Sequence, residues 1–173
     1  MDRAFFGQVG TMNLFIVFRQ EDGSLELVTP PLDGMILPGV TRDSVLSLAR
    51  SHAAGSLRIP QLPSKLSVSE RSVTMKEVCE AAQSGRLVEM FGAGQFTFLC
   101  FFFWPWFSTR RKGTAAVVSP VNKIGYQGRD VDIPVEEDGM GPVSRALWTE
   151  LMGRQTGEIE SDWGVVIHEE RAE

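Results

Sequence analysis

The stretch ELVTPPLDGMILPGVTRDSVLSLA, Glu26–Ala49, carries three structural signals in succession. Leu25 to Val28 reads as a short strand. Thr29-Pro30-Pro31 ends it, because neither proline can donate to a ladder. Asp33 to Gly39 (DGMILPG) is then a rigid loop with an apolar centre. A helix is predicted from near Thr41, with Asp43 in its first turn and Val45, Leu46, Leu48 and Ala49 on one face. Gly39-Val40-Thr41 stands where that helix begins. Free backbone N–H groups and the positive end of the dipole suit such a place to an anion, typically phosphate. An ordinary loop-to-helix junction with a threonine cap has the same residues.

Upstream, Met12 to Phe18 (MNLFIVF) is nearly all apolar and reads as a buried strand. Glu21-Asp22-Gly23-Ser24 supplies the turn into Leu25–Val28, with Gly at a position suited to positive φ. Downstream, Ser51 to Leu66 reads as a loop containing Gly55, Pro60 and Pro63. Thr74 and Glu77 then fit a capping box, and Val73 with Val78 occupies the hydrophobic staple positions. This second helix should turn Val78, Ala81 and Ala82 to the core and close at Gly85. Leu87 to Phe91 is a strand running into the glycine turn Phe91-Gly92-Ala93-Gly94. Ala115 to Val121 is another strand, Asn122 to Gly128 a turn, and Asp130 to Pro134 a short extended piece. A third helix is predicted over Pro142–Met152, with proline at its first position. Trp163 to Ile167 reads as a closing strand and His168 to Glu173 as a solvated tail. Strands interleaved with a few helices indicate a mixed α/β fold.

The chain has 173 residues, 43% of them hydrophobic and 23% charged, with a net charge of −5. That is enough for one domain with a real core. No block of like charges marks a nucleic-acid surface. Cys79 and Cys100 are the only cysteines and His52 and His168 the only histidines, so no metal-ligand spacing exists. Both histidines read as surface residues, with no Ser, Cys or acid at a suggestive spacing. Of the lysines, Lys65, Lys76, Lys112 and Lys123, none stands in a context that announces a Schiff base. Gly10-Thr11 and Gly113-Thr114-Ala115 repeat the chemistry of the Gly39 junction: small residues, exposed amides and one hydroxyl each. Thr at a strand edge equally often just satisfies backbone.

Taken in order, GTMNLF (Gly10–Phe15), the Glu26–Ala49 stretch, VSERSVTM (Val68–Met75), GRLVEMFGAG (Gly85–Gly94), GTAAVVSPV (Gly113–Val121) and ESDW (Glu160–Trp163) form a recognisable series. The chain resembles the C-terminal half of a branched-chain amino acid aminotransferase, one of the fold-type IV enzymes that use pyridoxal 5'-phosphate. The resemblance implies an incomplete large, C-terminal aminotransferase domain over residues 1–173. It implies that the backbone of Val40 and Thr41 holds the cofactor phosphate with help from Thr114, and that Thr11 and Ala115 receive the substrate carboxylate. The parent reaction moves an amino group from leucine, isoleucine or valine to 2-oxoglutarate. Branched-chain amino acids and 2-oxo acids are thus the implied small-molecule partners, and the parent family is homodimeric, cytoplasmic or mitochondrial. D-amino acid aminotransferases and aminodeoxychorismate lyases share the fold type, but TPPLDGMILPGVTR favours the branched-chain group. A rival from another class is a non-catalytic module that pairs with intact subunits.

Three departures from the family pattern stand out. The family's catalytic lysine lies upstream of the matched region, so no catalytic residue is assigned and the isolated chain is expected to be inactive. The family's glutamate two residues before Gly-Thr-Met-Asn is Gln8 here. An amide can hydrogen-bond to the pyridine nitrogen but cannot stabilise its protonated form by charge. Gln8 is either a true substitution or the start of unrelated sequence. Ala116 and Ser119 stand where some relatives carry a Cys-x-x-Cys pair, so no thiol switch is expected.

Between the two halves of the glycine turn lies Gln95 to Lys112, QFTFLCFFFWPWFSTRRK, into which Phe and Trp crowd. Removing Gly94–Lys112, or equally Gln95–Gly113, restores FGAGTAAVVSPV without a gap. A foreign apolar insertion over 95–112 that leaves both flanks intact reads as translated intervening sequence, a retained intron. A natural surface loop is the plainer alternative, although loops are rarely this apolar. Leu99 to Phe107 is far short of the roughly 20 residues that a spanning helix needs. Pro105 also interrupts any amphipathic helix that might lie on a membrane.

Overall fold

The computed structural model describes residues 8–9, 12–34, 36–94 and 117–164. Along the chain come β1 (Gln8–Val9), β2 (Met12–Arg19), β3 (Leu25–Thr29), α1 (Val40–Ala53), β4 (Leu66–Glu70), α2 (Met75–Gln83) and β5 (Leu87–Ala93). β6 (Val118–Val121), β7 (Lys123–Tyr126), β8 (Arg129–Asp132) and α3 (Pro142–Thr156) complete it. The main sheet runs β4-β3-β2-β5-β6, with β1 paired to the start of β2, and β7-β8 is a separate hairpin. β3 and β4 are parallel and joined through α1, while β2 is antiparallel to both β3 and β5. The mixed α/β class expected from the sequence is the class observed.

β2 is apolar from Leu14 to Phe18 because both of its faces are covered. Phe15 and Val17 point into a core with α1 and α3, where Val45, Leu46, Leu48 and Ala49 meet Val143, Ala146, Leu147 and Leu151. Leu14, Ile16 and Phe18 point the other way, against Val73 ahead of α2, Val78 and Ala81 of α2, and Ile133 after β8. The sheet is therefore a middle layer. At its centre Phe15 faces Phe91 across the β2–β5 ladder, their rings stacked 5.2 Å apart and 9° from parallel. Neither is accessible to solvent, and burying a side chain of that size is worth about 2–3 kcal/mol.

Several expectations are met locally. Gly23 takes φ +80 in the β2–β3 turn and Gly85 takes φ +70 after α2. Thr74 caps α2 by accepting the Glu77 N–H at 3.2 Å. The reciprocal half of the capping box is replaced, since the Glu77 carboxylate pairs with Arg71 instead.

Other expectations need correction. Ser51–Leu66 is not all loop: α1 continues to Ala53, and Leu66 opens β4. That strand hides in a polar sequence, LSVSE, because it is an edge strand with a mostly accessible side. Gly92 and Ala93 do not turn but continue β5. A Cβ at Gly92 would come within 3.0 Å of Met12 Cβ, so the two strands approach where a side chain does not fit. Asn122–Gly128 is not a plain turn. β7 occupies most of it, and the reversal sits at Gln127-Gly128, both with positive φ. α3 runs on to Thr156 rather than stopping at Met152. Trp163 and Gly164 lie outside any strand, and the rest of the expected closing strand, the apolar interval Gln95–Lys112 and His168 fall outside the described residues.

His52 is the clearest reversal. It is 8% exposed, not a surface residue. Its Nδ1 accepts the Ile59 N–H at 3.1 Å, so Nε2 carries the proton and donates to Pro63 O, also at 3.1 Å. The ring ties the end of α1 to the following loop, with both nitrogens engaged.

Candidate anion site at the start of helix α1

α1 begins at an N-cap glycine. Gly39 has the extended backbone of a cap (φ −75, ψ 137) and no side chain to bond the first-turn amides. Its carbonyl accepts the Asp43 N–H at 3.1 Å, which sets the first turn. The N–H groups of Val40, Thr41 and Arg42 belong to the set that no helix can satisfy internally. Val40 is 83% exposed and Thr41 half-buried, so this end of the helix opens to solvent.

The loop before it is held from β2. Asn13, a polar residue in an apolar strand and only 4% exposed, donates from Nδ2 to Leu37 O at 2.9 Å. Its Oδ1 lies against Gly39, where an added Cβ would sit 2.6 Å away. Glycine is thus favoured at 39 by a close approach to the end of the Asn13 side chain rather than by an unusual φ. Asn13 also marks where three elements meet: it faces Gln8 of β1 in the ladder on one side and Ala93 of β5 on the other.

Arg42, in the first turn, folds back instead of reaching outward. Its Nη2 donates to Pro30 O at 2.9 Å and to Glu70 Oε2 at 2.6 Å, and its Nε is buried without a partner. Arg50 holds the other oxygen of Glu70 at 2.5 Å. The Arg42 guanidinium, then that of Arg50, keeps the Glu70 carboxyl below its ordinary range. This network clamps α1 to the end of β3 and to β4.

Of the residues expected to form a site, Val40 and Thr41 lie at this helix start, and Gln8 lies across the ladder from Asn13. Thr11, Thr114 and Ala115 fall outside the described residues; Met12, which follows Thr11, Gly94, and Val117, two residues after Ala115, are described. The Gly94 N–H donates to Val117 O at 3.1 Å, and Met12 is the residue against which Gly92 and Gly94 pack. Three separated pieces of sequence therefore converge on one corner of the sheet. Asn13 is the residue that sequence reasoning missed. Its signal was a lone amide inside MNLFIVF.

A cleft of about 640 Å³ runs from Val40 along Asp43, Ser44 and Ser47 to Arg154 of α3 and Trp163 beyond it. Those α1 residues recur at helical spacing, so the cleft follows the flank of the helix rather than its tip. Arg154 there is occupied by Glu150 and Ser161 and stacks 5.1 Å from the Trp163 ring centroid. Lys65 is exposed ahead of β4, Lys76 pairs with Glu80, and Lys123 pairs with Asp130 and Asp132. Among the described residues no cluster could hold a metal ion, and no helix is long and apolar enough to cross a membrane.

No family model matches the chain. It is 38% identical over 160 residues to the branched-chain-amino-acid aminotransferase of Monosiga brevicollis, covering 92% of this chain and 33% of that protein. It is 42% identical over 156 residues to the mitochondrial enzyme of the same name from Rattus norvegicus, covering 90% and 32%. The chain thus spans about a third of the length of the curated relatives it matches. Among solved structures it resembles the branched-chain amino acid aminotransferase of Thermobaculum terrenum, determined in its PLP form. The TM-score is 0.51 at 20% identity, over 90% of this chain and 35% of the other. The fold is accordingly part of an aminotransferase fold, and by sequence the chain is a relative of the branched-chain-amino-acid aminotransferases.

Proposed function

We propose that this chain is part of a branched-chain-amino-acid aminotransferase and that the start of α1 is its seat for the phosphate of pyridoxal 5'-phosphate. The observation that carries the reading is the helix start itself: a glycine N-cap with no capping side chain, held in place by Asn13 and exposed at Val40. Amides at a helix N-terminus suit a phosphate in donor chemistry and in dipole. When bound, the cofactor supplies an electron sink for chemistry at the amino-acid α-carbon. The chain's own residues do the rest. Val40 and Thr41 bind the phosphate by backbone, with Thr114 adding a hydroxyl. Thr11 and Ala115 take the carboxylate of a branched-chain amino acid or 2-oxo acid. Gln8 stands at the pyridine nitrogen as a neutral partner. The whole enzyme would work as a homodimer, like its parent family.

The apolar interval belongs to the same reading. Gly94 and Val117 are hydrogen-bonded, and Ala93 pairs with Val118. The two edges of residues 95–116 therefore meet at one point of the β5–β6 ladder. Without 95–112 the connection shrinks to a short hairpin loop, the commonest kind between antiparallel strands. We read 95–112 as a foreign insertion in an incomplete large domain over 1–173.

The experiment is a titration of the purified chain with pyridoxal 5'-phosphate and with pyridoxal, which lacks the phosphate. Val40→Pro removes one first-turn N–H at a position where proline is at home in a helix. Gly39 already has the extended backbone that a following proline requires. The expected result is binding that needs the phosphate and weakens about ten- to a hundredfold in V40P, one charge-assisted hydrogen bond being worth about 1.5–3 kcal/mol. Equal binding of both compounds, or no change in V40P, would overturn the assignment.

A further inference from the structure

Glu89 is an acid inside an apolar strand, LVEMFGA, and only 1% exposed. It points to the same side of the sheet as Phe91, toward α1 and α3. There it meets the start of α3, whose N-cap, Gly141, has no side chain. The Glu89 carboxylate takes over that function. Oε1 accepts the Val143 N–H at 2.7 Å, and Oε2 accepts the Ser144 N–H at 3.2 Å and the Ser144 hydroxyl at 2.6 Å. A Cβ at Gly141 would overlap the carboxylate and lie 2.8 Å from Glu89 Cβ, so glycine is required.

Ser144 gives this contact two arrangements. Its Oγ accepts the Gly141 N–H at 3.1 Å, and its hydroxyl also lies 3.1 Å from Gly141 O. With Glu89 ionised, the hydroxyl proton points to Oε2. With Glu89 protonated, the carboxyl donates to Ser144 Oγ, and the hydroxyl proton turns to Gly141 O. Both arrangements satisfy every group, but only the neutral one avoids holding a charge away from water.

We propose that Glu89, Gly141 and Ser144 form a proton-operated latch between β5 and α3, tightest when the Glu89 carboxyl carries a proton and looser when it ionises. Because β5 continues through Phe91 to Gly94, the latch anchors the strand that leads into the candidate site. The inference rests on this geometry and not on the cofactor reading.

Among the described residues the surroundings supply no side-chain cation to offset the charge; what faces it is the α3 N-terminus, through the Val143 and Ser144 N–H groups. Val17 faces Glu89 from β2, and β6 carries no ionisable side chain. On α1, Arg42 and Arg50 are held by Glu70, His52 is bonded to Ile59 and Pro63, and Asp43 is exposed. On α3, Arg145 is taken by Glu136 and Asp138, and Glu150 by Arg154. On the opposite face, Glu77 pairs with Arg71 and Lys76 with Glu80. Burial pushes the Glu89 carboxyl up, the Ser144 and Val143 donors pull it part of the way back, and the field of Glu136 adds a further push.

A carboxyl raised in the folded state contributes fully below its unfolded value and loses that contribution as pH climbs through the folded one. Thermal denaturation of the full chain between about pH 5 and pH 8, beside Glu89→Gln, reads this directly. Glutamine reproduces the neutral hydrogen bonds and cannot ionise. The melting temperature of the native chain relative to E89Q should fall by a few degrees as pH rises across that window. Infrared spectra of the native chain should retain a buried carboxylic-acid C=O band above the pH at which an ordinary carboxyl has lost its proton, and those of E89Q should lack it. A melting difference independent of pH, or one that grows with pH, would overturn the latch. Should E89Q fail to fold, absence of the infrared band from the native chain would do the same.

Discussion

Helices α1 and α3 begin alike and end up opposite. Each starts from a glycine N-cap with extended backbone, φ −75 and ψ 137 at Gly39, φ −88 and ψ 171 at Gly141. Neither glycine can cap its own helix. At α3 the missing group arrives from β5, where Glu89 fills the first turn and is buried with it. At α1 no side-chain cap bond forms, and the neighbouring Asn13 serves the carbonyl of Leu37 instead. α2 is the ordinary case, capped by its own Thr74. The same local sequence device is structural at one helix and available to a ligand at the other. What decides is whether a second strand brings a carboxylate to it.

Substitutions can test that contrast in order of size. Gly141→Ala should do most damage, about 4 kcal/mol or more by denaturant unfolding, because it displaces both the carboxylate and the Cβ of Glu89, which cannot swing aside. Glu89→Ala should cost about 3 kcal/mol, since it strands the Val143 and Ser144 amides in a dry place. Gly39→Ala should be far milder. The atom it meets is the free end of Asn13, which can swing aside for about 1 kcal/mol, the worth of its bond to Leu37 O. Equal losses in G39A and G141A would break the comparison. Thr74→Ala, removing an ordinary cap, should cost about 1 kcal/mol and calibrate the series.

The smallest effect belongs to the clamp behind α1. Glu70 is held below its ordinary range, first by Arg42 and then by Arg50. A depressed carboxyl contributes above its unfolded value and loses that contribution as pH falls through the folded one. Acid should therefore loosen α1 from β4 below about pH 4.5, by no more than about 1 kcal/mol for a partly exposed pair. Glu70→Gln should flatten that slope. This direction is opposite to the one expected for Glu89, so the two helix starts separate on a pH axis.

Much of the α1 side was legible in the chain. The prolines at 30 and 31, the glycine at 39 and the apolar spacing from Val45 to Ala49 fix strand, loop and helix by local chemistry. The resemblance rested on the same residues. What escaped depends on contacts distant in sequence. β4 has a polar edge-strand sequence that only its pairing with β3 reveals. β7 lies in a stretch whose polar and glycine residues resemble one long turn, although only Gln127 and Gly128 reverse the chain. His52 looked like a surface residue because Ile59 and Pro63, its partners, lie beyond the helix. Glu89 and Asn13 were single polar letters in apolar strands. That anomaly was visible in sequence, but what each one bonds was not, because Ser144 and Leu37 come from elsewhere in the chain.

The contrast reduces to one observation on backbone amides. Phosphate added to the isotopically labelled chain should shift the amide resonances of Val40 and Thr41 and leave those of Val143 and Ser144 where they are. Equal shifts at both helix starts, or none at Val40 and Thr41, would contradict the account of α1 as the open end and α3 as the closed one.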